Sequence, residues 1–156
     1  MGLLKKYFPI DPGAPPPLTA TITRRVRFEE VDMLRIVWHG RYPSYFEDGR
    51  IASGDRYGLS YRQFIDHGVL APIVQMQIDY KAPLIFDEEI TIAATLHWND
   101  AVRLDYSYLI SGADGRVAAS GCTVQLLTDP QGGLMLTHPE WIAAFREKWR
   151  RGILAP

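Results

Sequence analysis

The sequence predicts an α+β fold in which a curved antiparallel sheet wraps around one long helix. A helical pattern early in the chain is followed by four strand segments, three of which show the period-two alternation of half-buried antiparallel strands, while the fourth follows a turn signal. A strand precedes the long helix, a short helix follows it and another helix ends the chain. The 156 residues favour one domain with one core.

The chain begins with a segment that we interpret as an arm. Five prolines in PIDPGAPPP, residues 9–17, favour an extended backbone. We expect residues 1–17 to form this arm and residues 18–152 a single domain that includes the C-terminal helix. From Leu18 to Phe28, β-branched residues dominate and predict a strand, whose apolar side Arg24 interrupts.

The long helix is predicted from RYPSYFEDGRIASGDRYG, where charged residues, Arg50 among them, lie away from the apolar face. Because glycine weakens a helix by about 1 kcal/mol relative to alanine, Gly54 and Gly49 indicate a close approach to the sheet. Pro43 is tolerated only near the start of such a helix. The residues at helical spacing on the apolar face are Tyr42, Tyr45, Phe46, Gly49, Ala52 and Ser53.

Two further helices are predicted from capping boxes, in which the first and fourth residues satisfy each other's backbone N–H groups. Ser60 and Gln63 form one box, at the start of a short helix in SYRQFIDHG. Thr137 and Glu140 form the other, with Pro139 inside the first turn, at the start of the terminal helix in PEWIAAFREKWRRG.

The remaining segments predict four strands, in residues 71–83, 89–98, 101–110 and 115–129. In the first, we expect Val74, Met76, Ile78 and Tyr80 to share the buried face. Cys122 lies in the middle of the last strand and is expected to be a small core residue.

Composition and motifs exclude several classes of protein. Seventeen basic and eighteen acidic residues leave a charge of −1, so neither nucleic acid nor an anionic membrane is expected as a partner. A single cysteine excludes an intrachain disulfide and a cysteine-based zinc site. No signal-peptide pattern, long apolar run, phosphate loop, nucleophile elbow or metalloprotease motif is present. We expect a soluble cytoplasmic protein with no metal and no cofactor.

The stretch VDMLRIVWHG, residues 31–40, is the candidate for chemistry. It carries Asp32 and His39 between a strand and the predicted start of the long helix, where unpaired N–H groups and the helix dipole stabilise negative charge. A carboxylate beside an anion site could act as nucleophile or as general base in acyl transfer from an activated ester. The alternative is local: Asp32 ends a turn and His39 caps the helix.

Three motifs together resemble the hotdog-fold acyl-CoA thioesterases, particularly the 4-hydroxybenzoyl-CoA thioesterase family. They are VRFEEVDMLRIVWHGRYPSYFEDGR, YGLSYRQFIDHG and IDYKAPLIFDEEITI, and the resemblance covers about residues 20–129. It implies that Asp32 is the catalytic carboxylate. It also implies that the backbone N–H groups of His39 and Gly40 polarise the thioester carbonyl, while the His39 side chain orients water or protonates the leaving thiolate.

The resemblance implies hydrolysis of an acyl-CoA or acyl-carrier-protein thioester, with coenzyme A only as part of the substrate. It also implies a homodimer joined at sheet edges, or a tetramer of such dimers. Trp38 and Tyr42 are candidates for contact with the acyl group, and Lys81 for the coenzyme A phosphates, as is the basic C-terminal helix.

This chain departs from the family pattern at two places. Met33-Leu34-Arg35 follows the aspartate where the family commonly has small residues, and Phe28 stands where a subset has tyrosine. Two alternatives to hydrolysis therefore stay open. One is a hotdog dehydratase or hydratase, and the other is a non-catalytic module that binds acyl thioesters.

Overall fold

The computed structural model describes residues 5–154, which form five strands and three α-helices. Two short 3-10 helices, Phe28–Glu30 and His39–Arg41, flank the loop that contains Asp32. The other elements are β1 (Leu18–Arg25), α1 (Tyr42–Tyr57), α2 (Tyr61–Asp66), β2 (Ile73–Tyr80), β3 (Glu89–His97), β4 (Arg103–Ser111), β5 (Val117–Leu126) and α3 (Glu140–Arg150).

The five strands form one antiparallel sheet in the order β1-β3-β4-β5-β2. Helix α1 packs mainly over β1 and β3, against the side chains of β3 that the alternation predicts to be buried. The predicted fold, a sheet around one long helix, is confirmed. Strands β5 and β2 lie on the other side of β4 from β1 and β3.

The predicted close approach of the helix to the sheet is confirmed for Gly49 but not for Gly54, where a Cβ atom would lie 2.5 Å from the carbonyl oxygen of Leu59 and not against a strand. A Cβ atom at Gly49 would lie 2.9 Å from Cγ2 of Ile92 and 3.2 Å from Cβ of Ala94. On β5, Gly121 leaves room for the ring of Phe46, because a Cβ atom at Gly121 would lie 2.6 Å from that ring. The lost helix propensity is therefore offset by contact with β3.

Strand β1 is shorter than predicted, because it ends at Arg25 and Phe28 lies in a 3-10 helix with 78% of its surface exposed. Arg24 causes the change of direction, since its guanidinium turns back to bind the carboxylates of Glu30 and Asp48. The interruption that Arg24 makes in the apolar pattern is thus the site of an ion-pair network.

The predicted buried face of β2 is wrong for three of its four residues. Val74, Met76 and Tyr80 are exposed, and only Ile78 packs against the core. The strand lies at the edge of the sheet, away from β1 and β3 over which α1 mainly packs, and its register shifts between Ile73 and Gln75. The alternation therefore marks a strand correctly but does not show that a layer covers it.

One of the two predicted capping boxes forms. Ser60 Oγ accepts the backbone N–H of Gln63 at 3.2 Å, and the Gln63 side chain accepts the backbone N–H of Ser60 at 2.9 Å. The box predicted from Thr137 and Glu140 is wrong, because Pro139 is the N-cap residue of α3 and makes no side-chain cap.

The described part of the N-terminal arm lies against the domain; residues 1–4 of the predicted arm fall outside the described residues. The Tyr7 hydroxyl lies 2.6 Å from both Asp79 Oδ2 and Ser120 Oγ, and Trp149 Nε1 donates to the carbonyl of Pro16 at 2.7 Å. Within residues 5–154, no helix is both long and apolar enough to cross a membrane.

Candidate active site

The segment between the two 3-10 helices forms a tight turn that holds Asp32. Val31 and Val37 pair as antiparallel neighbours, and Asp32 donates its N–H to the carbonyl of Ile36 at 2.9 Å. Arg35 closes the turn through its N–H to the Asp32 carbonyl, at a φ of 63°. Non-glycine residues seldom adopt that φ, so the turn conformation is specified by its hydrogen bonds.

The Asp32 carboxylate has one oxygen engaged in this turn. Oδ1 accepts the N–H of Leu34 at 2.8 Å, which is the arrangement by which aspartate stabilises a turn two residues on. Among residues 5–154, no hydrogen bond reaches Oδ2. The interpretation that Asp32 stabilises a turn is thus correct for Oδ1. Oδ2 takes no part in the turn.

The long helix begins with the 3-10 turn His39–Arg41 and continues without a break into α1. The first N–H groups of a helix have no intrahelical acceptor, and neither Trp38 nor Arg41, the two N-cap residues, supplies a side-chain cap. The backbone N–H groups of His39 and Gly40 therefore meet the requirement for an anion-binding helix start. Pro43 lies in the first turn of α1, as predicted.

Asp32 and the helix start line one open pocket of about 410 Å³, which we call the Asp32 pocket. Its other side comes from Tyr80 and the residues that follow β2. Four predicted site residues therefore come together: Asp32, His39, Tyr42 and Lys81. No group of three or more His, Cys, Asp or Glu side chains in the described ranges could hold a metal ion.

The other two predicted residues, Trp38 and Gly40, do not line the Asp32 pocket. Gly40 lines a second groove of about 410 Å³ on the other side of α1, which we call the α1 groove. The Trp38 indole lies against Gly40 so closely that a Cβ atom there would overlap the ring, and it lies 5.2 Å from the His39 ring. His39 thus faces the Asp32 pocket and Gly40 faces the α1 groove. The Trp38 ring lies against Gly40.

A buried carboxylate that the sequence analysis did not single out fixes the loop to the helix. Glu30 is 4% exposed and accepts hydrogen bonds from Arg24 Nη2 at 2.8 Å, the backbone N–H of Arg27 at 2.7 Å and the Tyr45 hydroxyl at 3.1 Å. Its backbone carbonyl accepts the N–H of Trp38 at 2.9 Å. Glu30 thereby joins β1, the loop and α1 at the residue before the helix start.

Two tyrosines complete the wall between β2 and the helix. The Tyr80 hydroxyl donates to the carbonyl of His39 at 2.7 Å, and its ring lies edge-on to Tyr42 at 4.9 Å. Burial, and then the neighbouring Tyr80, raise the pKa of Tyr42 to about 12. The Tyr42 ring is thus a buried part of the wall that Tyr80 packs against.

The residues at which this chain departs from the family pattern lie mostly away from the pocket. Leu34 lines it, whereas Met33 is 99% exposed at the tip of the turn. Phe28 packs edge-on against Phe86 with ring centres 5.8 Å apart. The large side chains of this loop therefore affect the Asp32 pocket mainly through Leu34, at the rim of the pocket.

Sequence comparison places the chain among thioesterases. The model of the thioesterase-like superfamily matches residues 26–145. A curated protein of Bacillus subtilis (strain 168), named "Putative acyl-CoA thioesterase YneP", is 26% identical over 126 residues, which are 78% of this chain and 91% of that protein.

Solved structures share the fold. The DHNA-CoA thioesterase of Staphylococcus aureus superposes with a TM-score of 0.75 at 21% identity, over 83% of this chain and 89% of its own. The hypothetical protein SAV2348 of the same species, solved in complex with CoA, gives a TM-score of 0.73 at 16% identity, over 88% and 86% of the two chains. The chain belongs to the thioesterase-like superfamily, and its fold is the hotdog fold.

Proposed function

We propose that this protein hydrolyses an acyl-CoA thioester in the Asp32 pocket, with Asp32 as the catalytic carboxylate. The observation that carries the proposal is that one pocket joins the uncommitted Oδ2 of Asp32 to a helix start without a side-chain cap. Thioester hydrolysis uses a carboxylate that activates water or attacks the carbonyl carbon. It also uses an anion-binding site, because negative charge develops on the carbonyl oxygen in the transition state.

In the proposed reaction, the thioester carbonyl oxygen accepts hydrogen bonds from the N–H groups of His39 and Gly40. Asp32 either removes a proton from the attacking water, or attacks the carbonyl carbon itself to form a mixed anhydride that water then hydrolyses, and in both routes the C–S bond breaks. The products are a free acid and a thiol, and the exposed His39 ring is in reach of solvent to supply the thiolate's proton. Neither route requires a metal, so a chelator should leave turnover unchanged.

Coenzyme A is the proposed thiol, rather than a carrier protein. The relative YneP carries acyl-CoA thioesterase in its name, and the protein SAV2348, with which this chain shares its fold, was solved with CoA. Lys81 is exposed on the rim of the Asp32 pocket, where an ammonium group could meet a phosphate. Trp38 and Tyr42 are proposed to bound the reacting end of the acyl group.

We also propose that the protein is a homodimer joined along β2, or a tetramer of such dimers. An edge strand with exposed apolar side chains is a template for pairing with another chain. Ile73, Val74, Met76 and Tyr80 are 50%, 54%, 38% and 51% exposed, and β2 has only β5 as a neighbour in the sheet. Pairing of two β2 strands would cover these side chains and bring two Asp32 pockets to one interface.

The test of the catalytic proposal is Asp32→Asn, which keeps the Leu34 hydrogen bond to Oδ1 and removes the charge. We expect kcat for acyl-CoA hydrolysis, followed as free thiol, to fall by orders of magnitude with an unchanged melting temperature. The matched control is Asp55→Asn, an exposed aspartate on α1, which should retain full activity. Near-normal turnover of Asp32→Asn would remove Asp32 from the mechanism.

A further inference from the structure

Arg50 is a buried cation that the proposed reaction does not use. The sequence pattern puts it on the polar side of α1, but the structure buries it to 2% exposure. Its Nη1 donates to the carbonyl of Leu59 at 2.9 Å and its Nε to Gln125 Oε1 at 3.4 Å. Its Nη2 is buried and has no hydrogen-bond partner among residues 5–154.

The guanidinium has aromatic rings around it instead of a carboxylate. Its Cζ lies 5.0 Å from the ring centres of Tyr61 and Tyr106 and 5.7 Å from that of Phe64. Within residues 5–154, no Asp or Glu oxygen comes within 4.0 Å of it. A buried charge with an unused N–H group is costly, so such a group is retained where something else accepts from it.

Arg50 lies at one end of the α1 groove and Gly40 at the other. Along α1 the groove is lined by residues at helical spacing, Gly40, Ser44, Glu47 and Arg50. Ten residues of helix separate its ends, which is about 15 Å. The groove therefore connects the proposed oxyanion site to a buried cation.

The opposite wall of the α1 groove is both apolar and polar. Phe46, Tyr108, Ile73 and Met76 form its apolar part, and Thr123 and Gln125 of β5 its polar part. The ring of Tyr61, at the start of α2, lies over the guanidinium and also lines the groove, so a ligand that reaches Arg50 contacts this ring. An apolar channel with a few convergent polar groups at one end is typical of a binding site that selects a ligand by its length and by the polar group at its far end.

We propose that the α1 groove holds the acyl chain and that Arg50 Nη2 binds an acceptor oxygen at its distal end, which makes Arg50 a specificity-determining residue. The substrate class is an acyl thioester of about 15 Å whose far end carries a hydroxyl or carboxylate oxygen. Glu47 lines the same groove, and its negative charge opposes the binding of an anion. The ratio of kcat/KM between a hydroxyl-bearing and a carboxylate-bearing substrate therefore shows which oxygen is preferred. This proposal rests on the proposed thioesterase activity at Asp32.

The first experiment compares three substrates of matched length on the wild-type protein: dodecanoyl-CoA, ω-hydroxydodecanoyl-CoA and the CoA monothioester of dodecanedioic acid. We expect kcat/KM for at least one oxygen-bearing substrate to exceed that of dodecanoyl-CoA by at least tenfold, about 1.4 kcal/mol. Equal or lower values for both oxygen-bearing substrates would overturn the proposal, and this comparison needs no variant.

The second experiment uses Arg50→Met and Arg50→Lys, with Arg56→Met, an exposed arginine on the same helix, as the control. Arg50→Met should bring kcat/KM for the oxygen-bearing substrates down to the value for dodecanoyl-CoA in the same variant, Arg50→Lys should restore part of the preference, and the control should keep it. A merely structural Arg50 would lower the melting temperature and leave the substrate ratio unchanged, which contradicts the proposal.

A binding measurement separates this proposal from the catalytic one. Calorimetric titration uses thioether analogues of the three CoA substrates, in which a CH2 group replaces the thioester carbonyl, and at least one oxygen-bearing analogue should bind more tightly than the dodecyl analogue does. Because a thioether cannot be hydrolysed, this ranking tests Arg50 whether or not the Asp32→Asn variant turns over normally. Equal or weaker binding of both oxygen-bearing analogues would overturn the role of Arg50 whatever the catalytic result.

Discussion

The hydroxyl of Tyr80, the last residue of β2, donates a 2.7 Å hydrogen bond to the carbonyl oxygen of His39, the first residue of the long helix. This bond fixes the peptide unit that joins His39 to Gly40, whose N–H is half of the proposed oxyanion site. The edge strand and the proposed oxyanion site are thereby coupled through one side chain.

Tyr80→Phe should lower activity without a comparable loss of stability. The variant frees the His39 carbonyl, so the Gly40 N–H is no longer held in one direction, and we expect kcat to fall about tenfold. Tyr57→Phe is the control, because the Tyr57 hydroxyl also binds a backbone carbonyl, that of Thr19, at 2.6 Å but far from the pocket. It should cost about 1 kcal/mol of unfolding free energy and leave kcat unchanged. Equal effects of both variants on kcat would contradict the positioning role.

Arg24→Met should destabilise the fold far more than removal of an exposed arginine. It leaves Glu30, with a side chain 5% exposed, without its cation, and removal of one partner of a buried pair costs about 3 kcal/mol. Arg25→Met is the control, because its pair with Asp87 is exposed on both sides and contributes less than about 1 kcal/mol. Urea denaturation gives both values, and similar losses would mean that the Glu30 network is not a structural anchor.

The sequence predicts the fold well because hydrophobic periodicity reports which faces pack together. The alternation in β3 and β4, the Ser60 box and the close approach at Gly49 all follow from local geometry. Arg50 and β2 show the limit of such patterns. The polar position of Arg50 on the helical wheel gives no sign that Leu59 and Gln125 bind it inside the core. The apolar face of β2 gives no sign that α1 packs mainly over β1 and β3.

The site is predicted less completely than the fold, for a similar reason. Asp32 and His39 stand out as a carboxylate and an imidazole in one short segment, and the structure brings both to one pocket. Glu30 and Tyr80 stand in unremarkable surroundings in the sequence. Their roles depend on distant partners, Arg24 and Tyr45 for the first and the His39 carbonyl for the second, which only the folded chain brings near.

A lysine at Val74 should dissociate the proposed dimer. Val74 is 54% exposed on β2, where a charge would be buried by edge-to-edge pairing. We expect Val74→Lys to halve the mass measured by light scattering and to lower activity. Thr21→Lys on β1, the opposite edge of the sheet, is the control and should leave the mass unchanged. Dissociation by Thr21→Lys alone would assign the interface to β1.

Removal of Arg116 should weaken the acid dependence of stability. The Arg116 guanidinium, 2.7 Å from Glu88, lowers the pKa of that carboxyl to about 2, with further help from the N–H groups of Ala113 and Ile85. The folded-state pKa lies below the unfolded value of about 4.3, so the stabilisation is complete above that value and is lost as the pH falls toward about 2.

Arg116→Gln should therefore lower the urea midpoint of unfolding at neutral pH and reduce its fall between about pH 5 and pH 2. The Glu88→Gln variant should show the same flattening, because the titrating carboxyl is then absent, and the double variant should add little to either single one. Asp114 shares Arg116 at 2.8 Å but is exposed, so Asp114→Asn should have a smaller effect. Parallel acid profiles for wild type and Arg116→Gln would show that this ion pair does not govern acid stability.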